Sequence, residues 1–321
     1  MQTVTFRLAA LALAGLALYA QAAEKPAAAK IQARLPVVKP VAKPMGKSMT
    51  DILAASAPGE WRPLNPDNTL YMELPAGRVV IELAPGFAPA HAANIRTLAH
   101  EKFFDGTFVL RSQDNYVVQW GDPAEGEPGA KSLGSAQGKV APELTVDISA
   151  ATPFRRLPDF DGYAPQVGFS DGFAAAQNPK TKQTWLTHCY GSVGVSRGEE
   201  LDSGNGSGLY VAIAAPRHLD RNYTVVGRVV QGMEMLSTLP RGTGPLGFYE
   251  KPEQRLPITS VRFASEVPAA ERSNLEVLRT DSQSFADVAE ARRNRRGDGY
   301  VAPAGYIALC NVPLPVRTIK P

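Results

Sequence analysis

The clearest pattern in the chain is an alternation of apolar and polar residues that begins near residue 68. Leu70, Met72 and Leu74 alternate with Tyr71 and Glu73, and the chain then turns through a Pro-Ala-Gly sequence. A second alternating run follows, with apolar residues at positions 79, 81 and 83. Two runs of period two on either side of a short turn predict an antiparallel β-hairpin.

Helical periodicity appears in three later segments. Residues 90–100 carry apolar side chains at three-residue and four-residue spacing, which predicts a helix. Residues 232–239 predict a second helix that ends before a proline. A third, basic helix is expected over 282–296, with Ser282 or Ser284 as its N-cap.

The first residues have the organisation of a secretory signal peptide. Arg7 precedes an unbroken apolar run of 13 residues, Leu8 to Ala20, and Ala20-Gln21-Ala22 follows with a small-x-small pattern. The alternative, a retained membrane anchor, would need about 20 apolar residues to span a bilayer. We therefore expect a cleavable signal peptide over 1–22, a periplasmic location and no stable membrane insertion of the mature protein.

Residues 23–60 are expected to form a linker, and ordered structure is expected to begin near Trp61. The segment is rich in alanine, proline and lysine, and its first half carries a surplus of basic residues. Such a segment is either a semi-rigid spacer without a partner or a basic tether that holds the domain near an anionic surface.

Composition narrows the classes of protein that this chain can form. Of its 321 residues, 44% are hydrophobic and 20% are charged, which permits a real core and disfavours bulk disorder. The 28 glycines and 27 prolines disfavour an all-helical bundle and favour short strands joined by turns. A net charge of +3 gives no basis for nucleic-acid binding. Two cysteines and four histidines leave little material for a metal site, so no metal and no cofactor are expected.

Two blocks of sequence resemble the cyclophilin type of peptidyl-prolyl isomerase. The first covers 68–122 and contains FFDGTFVLRSQDNYVVQWGD, and the second covers 191–264 and contains GSVGVSRG and HLDRNYTVVGRVVQGMEML. The order, spacing and content of these motifs carry the resemblance. It implies a mainly β fold, a closed eight-stranded antiparallel barrel capped by two helices, whose active groove lies on the outer face.

The resemblance also divides the chain. It implies a cyclophilin-like domain over 61–265 and leaves a C-terminal extension over 266–321, which is expected to pack on the barrel. Apolar residues within 307–314 of the extension predict a last, partly alternating strand. An insert of about 123–190 separates the two blocks. Six of the insert's aromatic residues predict a folded lobe, which lies beside the groove, offers a partner surface or packs on the barrel wall; they are Phe154, Phe160, Tyr163, Phe169, Phe173 and Trp185.

Site residues follow from the same resemblance. Arg111 falls on the catalytic arginine of the family, and a guanidinium can donate a hydrogen bond to a prolyl nitrogen as the peptide bond twists. No nucleophile or metal is needed for this reaction. The substrate-binding positions implied by the resemblance are Tyr116, Val117, Gln119, Tyr210, His218, Leu219 and Tyr223. The expected partners are Xaa-Pro segments of unfolded or extended client proteins.

Four positions depart from the family pattern at or near the groove. Leu110 replaces a histidine, Gly208 a glutamine, His218 a tryptophan and Tyr223 a histidine. Gly208 and His218 remove bulk beside the substrate residue that precedes proline, so an altered preference is expected there. The departures leave open an alternative, a catalytically weak or inactive module that binds Pro-containing segments in the same groove.

The two cysteines, Cys189 and Cys310, are expected to form a disulfide. A signal peptide sends the chain to an oxidising compartment, where a pair of free thiols seldom persists. The alternative is two separate buried thiols, since free cysteine often behaves as a small core residue.

Overall fold

The protein is described by a computed structural model that covers residues 46–150, 152–295 and 299–319. The predicted signal peptide, the first part of the predicted linker and Arg296 lie outside these residues. Among the residues described, no helix is long and apolar enough to cross a membrane.

Four α-helices and seventeen β-strands are formed by the described residues. The α-helices are α1 (Met49–Ala55), α2 (Pro89–His100), α3 (Met233–Ser237) and α4 (Gln283–Arg293). The strands are β1 (Trp61–Pro63), β2 (Thr69–Leu74), β3 (Gly77–Leu83), β4 (Phe108–Ser112), β5 (Val117–Gly121), β6 (Val146–Asp147), β7 (Arg155–Leu157), β8 (Gln166–Ser170), β9 (Phe173–Asn178), β10 (Gln183–Leu186), β11 (Ser192–Val195), β12 (Leu209–Ala212), β13 (Val225–Gln231), β14 (Leu256–Pro257), β15 (Ser260–Phe263), β16 (Leu275–Leu278) and β17 (Val316–Thr318). Single 3-10 turns lie at Pro58–Glu60, Pro66–Asn68, Arg217–Leu219, Pro245–Gly247, Pro252–Gln254, Ala264–Glu266, Ala269–Glu271 and Leu309–Asn311.

A nine-stranded antiparallel sheet forms the larger part of the molecule, in the order β14-β4-β5-β12-β11-β13-β3-β2-β15. The predicted hairpin is confirmed as β2 and β3, which pair from Thr69↔Glu82 to Leu74↔Gly77. Alternate residues of each strand, such as Val118 and Trp120 in β5, point into one apolar core. The residues between them lie on the outer face, where the groove was expected.

The prediction of a closed eight-stranded barrel is wrong in two respects. The sheet has nine strands, and its two end strands, β14 and β15, pair with β4 and β2 but not with each other. Ile258 and Thr259 join the two end strands, and their amides donate to Thr107 O (2.8 Å) and Glu73 O (2.9 Å) on opposite sides. The segment therefore crosses from β4 to β2 within two residues and pairs with each of them as a short strand.

The helices α2 and α3 lie at the two predicted positions. Ile95 and Leu98 of α2 and Leu236 of α3 are buried in the core of the nine-stranded sheet. Glu143 binds the first turn of α2, because its two carboxylate oxygens accept from the amides of Ala90 and His91, each at 2.9 Å. Of the four α-helices in the described residues, α1 alone was not predicted, since α4 corresponds to the helix expected over 282–296.

The inserted segment forms a lobe built on a five-stranded sheet, in the order β6-β10-β9-β8-β7. Phe169 and Trp185 lie in a second apolar core, and Phe173 lies in a third with Phe87. Two aromatic residues of the same insert, Phe160 and Tyr163, are instead exposed to solvent.

The C-terminal extension packs on both neighbouring parts. Phe285 of α4 shares the core of the lobe with Trp185, and Leu275 of β16 packs with Tyr71 and Val80 of the larger sheet. The strands β1, β16 and β17 form a small sheet of their own. The predicted helix over 282–296 is shorter than expected and ends at Arg293, and Ser282 is its N-cap, accepting from the Phe285 amide.

Two predictions at the boundaries are wrong. Residues 49–60, assigned to the linker, form α1 and a 3-10 turn. Ser48 and Asp51 cap α1 reciprocally, and the helix buries Ile52 and packs against α4. Residues 307–314 form no strand but a 3-10 turn, which carries Cys310. The sulfur atoms of Cys310 and Cys189 are bonded at 2.03 Å, so the extension is tied to the start of β11.

Candidate active site

The candidate site begins as a row of three side chains across adjacent strands. Arg111 of β4 is paired with Gln119 of β5, and Gln119 is paired with Tyr210 of β12. The register of β4 shifts between Val109 and Arg111, so Leu110 is an extra residue in that strand. Such a bulge re-aims the following side chain, and here it turns Arg111 onto the outer face beside Gln119.

Three acceptors hold the guanidinium of Arg111. Its Nη1 donates to Gln119 Oε1 (3.2 Å), its Nε donates to the carbonyl of Leu246 (2.7 Å), and its Nη2 donates to Gln113 Oε1. A guanidinium has five N–H groups, so two remain for another acceptor. Burial lowers the pKa of Arg111 from its ordinary value, but arginine keeps its charge in proteins.

Aromatic rings flank the same guanidinium. The Cζ atom of Arg111 lies 5.4 Å from the ring centroid of Tyr116 and 5.3 Å from that of Phe248. These distances allow cation–π attraction, which restricts the guanidinium further.

An apolar cluster forms the floor next to this arginine. Val117, Tyr210 and Leu219 are buried together, and Tyr116 and Tyr223 pack against them while remaining partly exposed. Gly194 lies opposite Tyr210, and a Cβ atom there would fall 2.4 Å from the Tyr210 ring. Only glycine at that position leaves room for the Tyr210 ring.

His218 lies at the rim of the cluster. Its ring stacks on Tyr116 with the centroids 5.7 Å apart and the planes within 6°. On the other side, Arg197 covers the ring of Tyr223 at 4.5 Å. The structure therefore brings all eight residues that the resemblance selected into one continuous site.

The space beside Gly208 is partly filled. An ideal Cβ atom at Gly208 would lie 2.2 Å from the hydroxyl oxygen of Ser196 and 3.6 Å from a carboxylate oxygen of Glu125. Ser196 thus occupies part of the room that the missing glutamine side chain would otherwise leave.

Behind the floor runs a chain of buried polar groups. The Tyr210 hydroxyl lies 2.9 Å from His188 Nε2, and His188 Nδ1 lies 3.1 Å from Asp220 Oδ1. Asp220 also accepts from Arg217 Nε at 2.6 Å, and Arg217 in turn binds Asp161 of the lobe at 2.8 Å and 3.2 Å. Because the Asp220 carboxylate can only accept, Nδ1 of His188 carries the proton, and in the neutral ring Nε2 accepts from Tyr210.

Burial and neighbouring groups shift the pKa values of Tyr210 and Asp220 in this chain. Burial raises the pKa of Tyr210 well above its usual range, so its hydroxyl remains a donor. Burial alone would raise the pKa of Asp220, but the hydrogen bonds from His188 and the charge of Arg217 outweigh it and lower that pKa.

Sequence reasoning missed several of these contacts. Gln113 and Phe248 hold Arg111, and His188, Asp220 and Asp161 support Tyr210 from behind. Gln113 alone had a local signal, since it lies two residues from Arg111 and can share its side of the strand. The described residues contain no group of three or more His, Cys, Asp and Glu side chains that could hold a metal ion.

The sequence of the chain is similar to those of known proteins. Residues 69–263 match the family model described as cyclophilin type peptidyl-prolyl cis-trans isomerase/CLD. A probable peptidyl-prolyl cis-trans isomerase of Brucella suis is 27% identical over 183 residues, which are 56% of this chain and 74% of that protein. The human peptidyl-prolyl cis-trans isomerase-like 1 is 26% identical over 219 residues, 68% of this chain and 99% of that protein.

A solved structure extends the likeness of fold. The cyclophilin AquaCyp293 from Hirschia baltica superposes with a TM-score of 0.64 at 24% identity, and the alignment covers 86% of this chain and all of that one. The shared fold therefore reaches beyond residues 69–263.

Proposed function

The chain belongs to the cyclophilin-type peptidyl-prolyl cis-trans isomerase family, and we propose that it isomerises Xaa-Pro bonds of client proteins outside the cytoplasm. The observation that carries the proposal is the placement of Arg111. Its guanidinium is fixed by three acceptors, keeps two free N–H groups and lies beside the apolar cluster of Val117, Tyr210 and Leu219.

The reaction needs little more than this arrangement. Partial double-bond character gives the peptide bond a rotation barrier of about 18–20 kcal/mol. As the prolyl bond twists, its nitrogen loses conjugation and gains a lone pair that can accept a hydrogen bond. A free N–H of Arg111 stabilises that twisted state more than either planar isomer, and only such a difference accelerates the reaction.

The rest of the site holds the substrate. The apolar cluster is suited to keep the proline ring still while the preceding carbonyl rotates. The Oε1 atom of Gln119 accepts from Arg111, which leaves its NH2 group free to donate to a substrate carbonyl. His218 on Tyr116, and Tyr223 under Arg197, form the rim that a substrate crosses.

Two features support a location outside the cytoplasm. The sequence begins with the pattern of a signal peptide, and Cys189 and Cys310 form a disulfide, which persists in oxidising compartments. One relative, from Synechocystis, is named a putative thylakoid lumen isomerase. These features favour a folding assistant of the periplasm.

The test is an isomerase assay on a short Xaa-Pro peptide with wild type, Arg111→Ala and Arg111→Lys. We expect Arg111→Ala to lose about 10²–10³-fold in kcat, the usual loss for a fixed charged donor. Arg111→Lys should not restore the rate, because an ammonium lacks the planar fork that Gln113, Gln119 and Leu246 hold. Arg279→Ala is the control, since Arg279 pairs with Asp281 on the surface.

The same assay separates the two functions that the groove permits. An Arg111→Ala protein as active as wild type would overturn the mechanism. A wild-type protein that binds the peptide without accelerating its isomerisation would instead be the binding module that the departures at Leu110, Gly208, His218 and Tyr223 left open.

A further inference from the structure

A loop of the inserted lobe exposes aromatic side chains that no packing within the described residues accounts for. The aromatic loop, residues 158–165, connects β7 to β8. Its Phe160 is 80% exposed and its Tyr163 is 58% exposed, and the neighbouring Tyr306 of the extension is 47% exposed. Clustered exposed aromatic residues are typical of binding surfaces.

The aromatic loop is held firmly from three sides. Asp159 accepts from Arg293 Nε of α4 at 3.0 Å and from the Ile307 amide at 3.0 Å. The Tyr306 hydroxyl donates to the carbonyl of Phe160 at 2.9 Å. Asp161 accepts from Arg217, beside the groove, at 2.8 Å and 3.2 Å.

Asp161 also orders the loop from within. Its Oδ1 atom accepts from the amide of Tyr163 at 2.9 Å, which is the hydrogen bond of an Asx turn. The two acidic side chains of the loop thus fix its backbone, while its two aromatic side chains face solvent. A surface that is already ordered loses little conformational freedom when a partner binds, so its contacts contribute more fully to affinity.

Arg217 links the loop to a rim residue of the groove. The Cζ atom of Arg217 lies 5.1 Å from the ring centroid of Tyr163. His218 follows Arg217 directly, about 3.8 Å from Cα to Cα, and stacks on Tyr116 in the candidate site. An extended chain rises about 3.3 Å per residue, so a segment a few residues from a bound proline reaches the loop.

We propose that Phe160, Tyr163 and Tyr306 form a second contact surface for the polypeptide whose Xaa-Pro bond occupies the groove. This surface binds apolar side chains of an unfolded client a few residues away from the proline. The inference rests on the proposed function, because the groove supplies the first contact. It explains why the lobe is anchored to Arg217: the anchor sets the spacing between the two contacts.

The experiment compares a short substrate with a long one. The variants are Phe160→Ser and Phe160→Ser/Tyr163→Ser, and Tyr190→Ser is the matched control, an aromatic residue 52% exposed that lines the cavity beside the disulfide. The short substrate is an Xaa-Pro tetrapeptide. The long substrate is a reduced, carboxymethylated protein whose refolding is limited by one prolyl bond with apolar neighbours.

On the tetrapeptide we expect all variants to equal wild type. On the unfolded protein we expect the double variant to lose about fivefold or more in kcat/KM, mostly through KM, as for truncated aromatic contacts at interfaces. Tyr190→Ser should behave as wild type on both substrates.

The other outcomes distinguish failure of the inference from failure of the proposed function. Equal activity of the double variant and wild type on the long substrate would overturn the inference and leave the proposed function intact. Equal loss on both substrates would show that the loop only supports the groove, which also overturns the inference. If wild type isomerises neither substrate, the proposed function fails, and binding of the fluorescently labelled unfolded protein to wild type and the double variant then decides the inference alone.

Discussion

The hydroxyl of Tyr210 places a polar atom in the apolar floor of the groove. This hydroxyl is buried with its ring, so it needs a hydrogen-bond partner within the protein. His188, which is fully buried, supplies it at 2.9 Å. A buried hydroxyl or imidazole without a partner costs about 1–3 kcal/mol, so neither residue is free to change alone.

A double-mutant cycle tests this dependence. We expect His188→Leu to lower the free energy of unfolding by about 1–3 kcal/mol, since it strands the Tyr210 hydroxyl, and to raise KM for an Xaa-Pro peptide. Tyr210→Phe strands Nε2 of His188 in the same way. The double substitution should therefore cost less than the sum of the two single ones, as measured by urea unfolding.

The matched control for this cycle is His100→Leu, because His100 is an exposed histidine that also contacts a carboxylate, Glu266. It should leave stability and KM almost unchanged. Strict additivity of His188→Leu and Tyr210→Phe would contradict the pairing.

At the residue scale, the sequence predicted which residues lie together at the front of the candidate site but not those that support them from behind. Arg111, Tyr116 and Gln119 lie within one motif of fixed spacing, so their proximity could be expected from the resemblance. His188, Asp220 and Asp161 come from separate segments, and only the fold brings them behind Tyr210. No local pattern marks such a set in a single sequence.

At the scale of elements, the disulfide joins the inserted segment to the C-terminal extension, and both of these parts lie outside the two blocks that resemble the family. Cys189 precedes β11, Cys310 lies on a 3-10 turn of the extension, and the two are 121 residues apart in sequence. Around the bridge, Leu309 and Phe285 share one apolar core with Trp185 of the lobe. The bridge therefore restrains the lobe and the extension as one unit.

Removing the bridge should weaken that unit. We expect Cys189→Ala/Cys310→Ala to lower the free energy of unfolding by about 2–5 kcal/mol, as for native disulfides that close long loops. A reducing agent should destabilise wild type to a similar extent and leave the double variant unaffected. Two reactive thiols per chain in the denatured, unreduced protein would contradict the pairing.

The elements predicted correctly are those whose stabilising interactions lie close together in the sequence. The β2–β3 hairpin and α2 are specified by alternation, a turn and helical spacing within about 30 residues. The helix α1 was missed because its sequence looks like the preceding linker, and its stability depends on packing against α4, more than 200 residues later. Residues 307–314 were assigned to a strand because their apolar spacing reflects burial against the lobe instead of a ladder.

At the scale of the whole molecule, three arginine–aspartate contacts contribute to stability, and two of them connect separate parts of the chain. Asp105 binds Arg262 of β15, Asp159 of the lobe binds Arg293 of α4, and Asp220 binds Arg217 next to the groove. Burial alone would raise the pKa of each of these carboxyl groups. Hydrogen bonds and the charge of the arginine outweigh burial and lower all three pKa values; for Asp220, a bond from His188 contributes first.

This lowering predicts how stability depends on pH. A carboxyl group with a lower pKa in the folded state stabilises the protein above its unfolded pKa of about 3.9, and this contribution is lost as the pH falls through the folded value. We therefore expect the free energy of unfolding to decline below about pH 4. Urea unfolding between pH 2.5 and pH 7 measures the decline, and Asp159→Asn should flatten it. A curve for Asp159→Asn parallel to that of wild type would count against this account.

The order of strands in the nine-stranded sheet also determines when that sheet can be completed. β3 pairs with β13 and β2 pairs with β15, so both outer neighbours of the first hairpin are made late, the last of them at Phe263. Contacts between residues so far apart in sequence make folding slow. A chain that emerges from its N-terminus cannot finish its core until most of its length is available, and under the export that we propose this delay would keep the chain unfolded while it crosses a membrane.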